Sequence, residues 1–202
     1  MQILILGATG RTGTQVVLEA LRRGHSVTAL VRTPSSLDAV TADLTTAQKS
    51  NLTVIKGSPV NTADIAKAVT TAITISSTPD SQLAVISALN PRRTSENPWA
   101  APHPSDSPPR MMADSIANVL SALAETSAAA GSTVGKQPKV VYVSAIGVGR
   151  SGPNAHWLLR AMISHSNVKL TYDDHDAAEE ELRAAGDGVK WVVVRPGRLT
   201  GG

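Results

Sequence analysis

Hydrophobic residues in this chain fall into short continuous apolar runs and longer stretches with helical spacing. A continuous apolar run, without the polar alternation of a half-exposed strand, is typical of a strand buried on both faces of a sheet. One further strand is predicted at residues 71–76 or at residues 83–88, and periodicity does not separate the two. The other predicted strands lie at residues 3–6, 26–31, 52–56, 139–144 and 190–194.

The stretches between these runs repeat apolar residues every three to four positions, which predicts helices that cover a sheet. Strands that alternate with helices indicate a parallel sheet in an α/β fold. The chain is therefore predicted to form one Rossmann-type, doubly wound domain over residues 1–202. Its helices are expected at residues 14–23, 61–69, 111–130 and 174–185, with a short one within residues 34–50.

A proline-rich segment at residues 90–110 interrupts this alternation and holds six of the chain's 12 prolines. Because proline lacks a backbone N–H and restricts the preceding residue, no regular element is expected to cross it. Loops of this length in a compact domain are usually functional or disordered. This one follows a strand, so it is expected to leave the carboxyl edge of the sheet, where α/β folds bind ligands.

Composition excludes several classes of function and leaves the predicted fold unchanged. The net charge of +3 comes from scattered basic residues that do not interleave with aromatics, which argues against a nucleic-acid partner. A small positive excess suits a protein that binds a polyanionic dinucleotide. Without cysteine, disulfides and thiolate metal sites are excluded, and the isolated histidines indicate no other metal site. Met1 directly precedes a strand and no apolar run has membrane-spanning length, so a cytoplasmic protein is expected.

A glycine-rich sequence, Gly-Ala-Thr-Gly-Arg-Thr-Gly, joins the first predicted strand to the first helix. In such a turn Gly7 permits the sharp bend, Gly10 lets the backbone approach a pyrophosphate, and Gly13 lets the helix pack closely on the strand. The helix N-terminus adds partial positive charge toward the phosphates. The position within a βαβ unit is the context that a dinucleotide-binding loop requires. The expected cofactor contacts here are Gly7, Thr9, Gly10, Arg11, Thr12 and Gly13.

The end of the second strand indicates which dinucleotide binds. Sites for NAD usually place an acidic residue there to hold the ribose 2′-hydroxyl. This chain has Val31-Arg32-Thr33 instead, and Arg32, with Arg11 from the glycine loop, can pair with a 2′-phosphate. The alternative is two solvated surface arginines. The missing carboxylate and the two arginines together predict NADP(H) as the cofactor.

Four motifs together resemble the atypical short-chain dehydrogenase/reductases. They are the glycine loop at 7–13, Val-Arg-Thr-Pro at 31–34, Val-Ser-Ala at 143–145 and Val-Arg-Pro-Gly-Arg-Leu-Thr at 194–200. The resemblance is to the NAD(P)H-binding branch that includes flavin reductase/biliverdin-IXβ reductase and the nitrogen-metabolite-repression regulators. Asp173-Asp174-His175 is similar to a stretch that the flavin reductase subset carries where other relatives have a Tyr-x-x-x-Lys pair.

Two departures from these relatives change what is expected. Members of the family usually carry Gly-Asp after the third strand, whereas this chain has Gly57-Ser58, so an adenine contact is expected to differ. Relatives also continue for another strand and helix beyond the Arg-Pro-Gly segment. The expected fold is therefore a Rossmann domain that lacks the last strand and helix of its relatives.

The resemblance places three candidate catalytic residues near the carboxyl edge of the sheet. Ser144 would donate a hydrogen bond to a substrate carbonyl or hold the nicotinamide carboxamide; the alternative is a strand-end serine that caps the next turn. His175 stands where many relatives have the active-site lysine, and its near-neutral pKa suits proton donation. In the alternative, an aspartate just before it caps the helix and His175 is exposed. Tyr172 is a second candidate acid, but Asp176 stands four residues on, so the usual Tyr/Lys relay is absent.

The remaining candidates are less specific. Residues 179–181, all glutamate, are predicted to form the solvated face of their helix. Residues 195–197 follow the last strand and are expected to shape the pocket wall, with Pro196 among the cofactor contacts. His156 and Trp157 either line the substrate pocket or belong to a mobile surface segment.

Two main functions remain. The first is an NADPH-dependent reductase of a small carbonyl, flavin-like or quinone-like substrate, with hydride transferred from the nicotinamide. The second is a non-catalytic NADP(H)-binding redox sensor that acts through a protein partner. The missing Tyr/Lys pair favours the sensor, whereas Ser144 and the Asp-Asp-His stretch favour the enzyme. An isomerase or epimerase on the same fold is a third possibility.

Overall fold

Six parallel strands form the centre of the computed structural model, which describes residues 1–75, 82–129, 137–154 and 156–196. The strands are β1 (Gln2–Leu6), β2 (Ser26–Val31), β3 (Leu52–Lys56), β4 (Leu83–Ser87), β5 (Lys139–Val143) and β6 (Lys190–Val194). They pair in the order β3-β2-β1-β4-β5-β6, with every neighbouring pair parallel. This order confirms the predicted Rossmann-type, doubly wound sheet.

The described part of the chain contains six helices. The 3₁₀ turns lie at Pro34–Leu37, Gly149–Asn154 and Gly186–Gly188. The helices are α1 (Arg11–Arg22), α2 (Thr46–Lys49), α3 (Thr62–Thr74), α4 (Met111–Ala129), α5 (Trp157–Ser164) and α6 (Val168–Ala184).

Helix α3 decides which of the two candidate segments is the fourth strand. It continues through Thr74 because Ile65, Ala68, Val69 and Ala72 keep a buried stripe at helical spacing. Residues 71–74 are therefore helical, and the strand is the later candidate, β4. Residue 76 of the earlier candidate lies outside the described residues.

Helix α6 begins earlier than predicted. Its first residue is Val168, after Asn167 at the N-cap, so the Asp-Asp-His stretch at 173–175 lies within the helix. An aspartate there therefore does not cap its own helix, as one alternative had required. Asp174 and His175 are buried, whereas Asp173 lies on the exposed side of the helix.

Side chains from opposite faces of the sheet form two separate cores. On one face, Leu4, Leu6 and Val85 pack with helices α3, α4 and α6. On the other, Ile3 and Ile5 pack with α1 and the turns that precede β3. Every residue of β1 is buried, as expected for a central strand covered on both faces.

The strand order reverses between β1 and β4, and this is where ligands bind in open α/β sheets. The turn after β1 and the segment after β4 approach closely there: a Cβ on Gly7 would lie 2.7 Å from the carbonyl oxygen of Ala88. The proline-rich segment leaves the same edge, as predicted, and contains only an isolated bridge between Arg93 and Pro102. In the parts of the chain that the structure describes, no helix is both long and apolar enough to cross a bilayer.

Candidate cofactor and active site

The glycine loop adopts a conformation that only glycine permits at two of its positions. Gly7 has a φ of +79°, in the left-handed region that other residues avoid. A Cβ on Gly13 would lie 2.0 Å from the carbonyl oxygen of Gly7, so helix α1 packs directly on the turn. The turn itself is closed by a hydrogen bond from the Gly10 N–H to the Gly7 carbonyl at 3.0 Å.

The N-terminus of α1 is open at the carboxyl edge of the sheet. Gly10 is its N-cap, no side chain caps the helix, and its first turn contains no acidic residue. The first-turn amides have no earlier helical carbonyl to bind, and Thr9, Gly10 and Arg11 are exposed around them. Unpaired amides and a positive helix end without a competing carboxylate fit a pyrophosphate.

Arg32 follows β2 directly but does not stand alone in solvent. Its Nη1 donates to Asp106 Oδ1 at 2.9 Å and to the Asp106 carbonyl at 3.3 Å. Arg92 Nη1 donates to the other oxygen of the same carboxylate at 3.1 Å. Arg32 is thus a half-exposed surface arginine that is already paired, and its partner comes from the proline-rich segment.

A carboxylate also lies beside the loop after β3, although the sequence there has none. Asp64, in the first turn of α3, accepts a hydrogen bond from the Ser58 N–H at 2.8 Å. A helix residue six positions later thus binds the backbone of the loop at Ser58.

Ser144 directly follows β5, whose last residue is Val143, and its hydroxyl is bound inside the protein. The residue is 5% exposed, and Oγ donates to Glu179 Oε1 on helix α6 at 2.9 Å. Its backbone N–H extends the β5–β6 ladder to the Val194 carbonyl at 2.8 Å. Because a hydroxyl has a single hydrogen, Ser144 in this state offers only acceptor lone pairs to a ligand.

Glu179 corrects the prediction that residues 179–181 form a solvated face. It is 1% exposed, whereas Glu180 is exposed. Its carboxylate accepts from Arg183 Nη2 at 2.7 Å, from Arg195 Nε at 3.0 Å and from Arg195 Nη2. Two guanidinium groups and the Ser144 hydroxyl therefore compensate the burial of this charge. The sequence does contain one indication of this pairing: Glu179 lies four residues after His175 and four before Arg183, a spacing that places all three on the same side of a helix.

His175 is also buried, at 4% exposed, and its Nδ1 lies 2.6 Å from the hydroxyl oxygen of Tyr142 in β5. Burial lowers the pKa of His175 to about 4, with the charge of Glu179 acting weakly against it. Burial also raises the pKa of Tyr142, which keeps its proton. Both earlier interpretations of His175 are therefore wrong: it is neither exposed nor a near-neutral acid. Tyr142 was missed, because only the fold places β5 against α6.

The aspartates around His175 bind backbone amides from other elements. Asp174 accepts from the N–H groups of Met112 at 2.9 Å and Ala113 at 3.0 Å, and so caps α4. Asp176 accepts from the Gly149 N–H at 2.6 Å. Burial raises the pKa of both carboxyls, and their amide hydrogen bonds partly offset this effect.

Tyr172 is half-buried one turn before these residues. Its hydroxyl donates to the Ile146 carbonyl at 3.1 Å, and burial raises its pKa. Ser144, Tyr172 and His175 thus each contact a different partner along the packing of residues 142–146 against α6. His156 instead caps α5 and Trp157 is 70% exposed, so both lie at the surface. Pro196 is half-buried after β6, and the described residues contain no cluster of three potential metal ligands.

The low pKa of His175 makes a prediction about stability. Above pH 6.5 the imidazole is neutral in both the folded and the unfolded protein. Between pH 6.5 and about 4, the unfolded chain binds a proton at this imidazole, whereas the folded protein does not. Stability is therefore full above pH 6.5 and falls by about 3 kcal/mol as the pH drops to about 4. The raised pKa values of Asp174 and Asp176 act in the opposite direction.

The comparison of wild type with His175→Gln isolates this contribution, since both proteins retain the aspartates. Urea unfolding at pH 7 and pH 4.5 should show a smaller acid destabilisation in the variant, by about 2 kcal/mol. His156→Gln removes an exposed imidazole that caps α5 and is the control: a lost cap lowers stability at both pH values, so the change between them should follow the wild type. An equal loss of stability in His175→Gln and wild type would contradict the buried neutral state.

Comparisons with known proteins identify the family and the fold. A model of the NAD(P)H-binding family matches residues 7–202. Reductase pytE of Aspergillus terreus is 26% identical over 213 residues, which cover 99% of this chain and 76% of that protein.

Two solved structures share the fold. The anaerobillin reductase ChuY from Escherichia coli O157:H7 has a TM-score of 0.63 at 17% identity, over 96% of this chain and 71% of that one. The yeast methylglyoxal/isovaleraldehyde reductase Gre2, complexed with NADPH, has a TM-score of 0.61 at 13% identity, over 98% of this chain and 58% of that one.

Proposed function

The chain belongs to the NAD(P)H-binding family, and on that basis we propose that it is an NADPH-dependent reductase of a small carbonyl, flavin-like or quinone-like substrate. The observation that carries the proposal is the glycine loop at the strand-order reversal, with an open N-terminus of α1 and Arg32 at the end of β2. Relatives named as reductases, one of them solved with NADPH, support the same activity.

Each end of the cofactor has residues of this chain to bind it. The backbone amides of Arg11 and Thr12 would bind the pyrophosphate, since the Gly10 N–H already binds the Gly7 carbonyl, and Arg32 would bind the 2′-phosphate. When bound, the nicotinamide supplies the hydride, and the protein supplies position and charge. Ser144 and Pro196 hold its ring at the ends of β5 and β6.

We assign these residues chemical roles that differ from the roles expected from the sequence. Ser144 donates to Glu179, so it accepts a hydrogen bond from the nicotinamide carboxamide rather than donating to the substrate. His175 positions Tyr142 and α6 and does not touch substrate. Tyr172 is the candidate proton donor, because its half-buried hydroxyl is protonated at neutral pH; to act, it must exchange its hydrogen bond to the Ile146 carbonyl for one to the substrate.

One observation favours the second candidate, an NADP(H)-binding redox sensor without turnover. The hydroxyls of Ser144 and Tyr172 and the imidazole of His175 are all bound to protein groups. A sensor that binds NADP(H) without turnover does not need these groups to be free to bind a substrate. Oxidation of NADPH with flavins and quinones as acceptors, followed at the reduced-nicotinamide absorbance, separates the two functions. Turnover supports the reductase, whereas tight binding without oxidation of any acceptor supports the sensor.

The choice of cofactor is tested at Arg32. An arginine–phosphate pair is expected to make NADPH bind about tenfold to a hundredfold more tightly than NADH. Arg32→Asp should remove this preference, because the carboxylate repels the phosphate and accepts from a ribose hydroxyl. Fluorescence titration with both cofactors measures the ratio, and Arg22→Gln, an exposed arginine at the end of α1, is the control. A wild-type preference for NADH would contradict the assignment.

A further inference from the structure

We propose that Asp106 is an internal anion that occupies the 2′-phosphate site, and that Arg92 joins Arg32 in binding this phosphate once Asp106 is displaced. The proposal rests on the proposed function, since it concerns the adenosine end of the same cofactor. It assigns a role in cofactor selection to the proline-rich segment, which carries both Asp106 and Arg92.

One carboxylate is shared by three basic side chains. Arg32 and Arg92 each bind one of its oxygens, at 2.9 Å and 3.1 Å, and His103 Nδ1 lies 3.8 Å from Oδ2. Two permanent positive charges therefore face one negative charge. The cluster retains a positive excess with Asp106 in place, which is the electrostatic requirement for a site that accepts a more highly charged anion.

A phosphate monoester is such an anion. It carries a charge of about −1.5 to −2 at pH 7 and has three strong acceptor oxygens. It can bind both guanidinium groups at once and neutralise them more completely than a carboxylate does. A ribose 2′-hydroxyl is neutral and gains nothing by displacing Asp106. The exchange therefore favours NADP(H) over NAD(H).

Asp106 can be displaced at little cost. The side chains of Arg32 and Arg92 are 50% and 69% exposed, and ion pairs in such surroundings contribute little to stability because water screens them. Arg32 is fixed by β2, whereas Asp106 lies in a segment without regular structure. Movement of the segment, rather than of the strand, is thus the expected response to the phosphate.

The path of the segment brings it to the end of β2, beside the proposed 2′-phosphate site. It begins after β4 and reaches Arg32 after β2, and β1 lies between these two strands. The segment therefore runs along the carboxyl edge of the sheet from β4 to β2, the edge at which the glycine loop begins. Ser107 holds this arrangement, because its Oγ accepts from the Arg92 N–H at 2.7 Å and brings Arg92 beside Asp106.

The test compares 2′,5′-ADP with 5′-AMP, which differ only in the 2′-phosphate, by calorimetric titration of the full chain. Asp106→Asn should tighten 2′,5′-ADP binding about threefold to tenfold, because a competing charge is removed. Arg92→Gln should weaken it by about the same factor. Neither variant should change 5′-AMP binding more than about twofold, which also shows that the site remains folded.

Arg93→Gln is the matched control, since the adjacent Arg93 donates to the Asn97 carbonyl and does not bind Asp106. It should leave both affinities unchanged. Unchanged 2′,5′-ADP binding in Asp106→Asn and Arg92→Gln would overturn the proposal. If Arg32→Asp still abolishes the preference for NADPH in that case, NADPH remains the proposed cofactor, but Asp106 and Arg92 have no part in selecting it.

Two further results would also overturn the proposal. If Asp106→Asn weakens 5′-AMP and NADH, Asp106 holds the ribose 2′-hydroxyl and the proposal is overturned. If the wild type does not distinguish 2′,5′-ADP from 5′-AMP, the proposed choice of NADPH fails, and this inference fails with it.

Discussion

Glu179→Gln is expected to lower the free energy of unfolding by about 3 kcal/mol, the cost of removing one partner from a buried ion pair. Glutamine keeps the shape of the side chain but not its charge, so Arg183 and Arg195 lose their counter-ion. These arginines are 37% and 25% exposed and recover some hydration, which keeps the loss near the lower end of the usual range.

The same variant should loosen one end of the sheet. Glu179 joins α6 to Ser144 after β5 and to Arg195 after β6, so its loss affects the nicotinamide side. The glycine loop lies elsewhere, and 5′-AMP binding should therefore persist. Urea unfolding measures the change in stability, and Glu180→Gln, at the exposed neighbouring position, should stay within about 0.5 kcal/mol of wild type. Equal stability of the two variants would show that the buried cluster contributes nothing.

Gly13→Ala is expected to abolish detectable binding of NADPH. The new Cβ would lie 2.0 Å from the Gly7 carbonyl oxygen and 2.8 Å from its carbonyl carbon. Both are backbone atoms, so no side chain can move aside, and α1 must shift away from the turn. The first-turn amides then no longer meet the pyrophosphate, and overpacking should also cost about 1–3 kcal/mol of stability.

Gly188→Ala is the control for this substitution. No atom lies within 4 Å of its Cβ position, and its φ is not in the left-handed region. It should bind NADPH like the wild type and unfold at a similar temperature. Cofactor titration with thermal unfolding by circular dichroism tests both variants. Normal NADPH binding by Gly13→Ala would contradict the assignment of this loop as the phosphate site.

Local patterns were sufficient to predict the α/β class and most of its elements. Strands buried on both faces leave continuous apolar runs, and covering helices leave a three- to four-residue period, so both are visible within a few residues. The glycine loop was predicted for a similar reason. Its spacing reflects contacts between residues only a few positions apart, such as Gly13 with Gly7.

The errors concern polar residues whose partners are distant in the chain. A run of three glutamates is normally a solvated helix face, and nothing in the run shows that Glu179 meets Arg195, 16 residues away, and Ser144, 35 residues away. His175 was likewise assigned the chemistry of a solvent-exposed imidazole. Burial against Tyr142, from a strand 33 residues earlier, changes its protonation.

The sequence by itself therefore determined the Rossmann-type fold, the glycine loop and the position of Arg32 after β2. These depend on apolar periodicity and on short-range steric limits. Only the tertiary structure decided which charges are buried and which cations share an anion: Asp106 meets Arg32 across 74 residues because both lie at the same edge of one sheet. Burial and pairing set the charge and free donors of a side chain, so the chemistry of this site depends on contacts that the linear order does not contain.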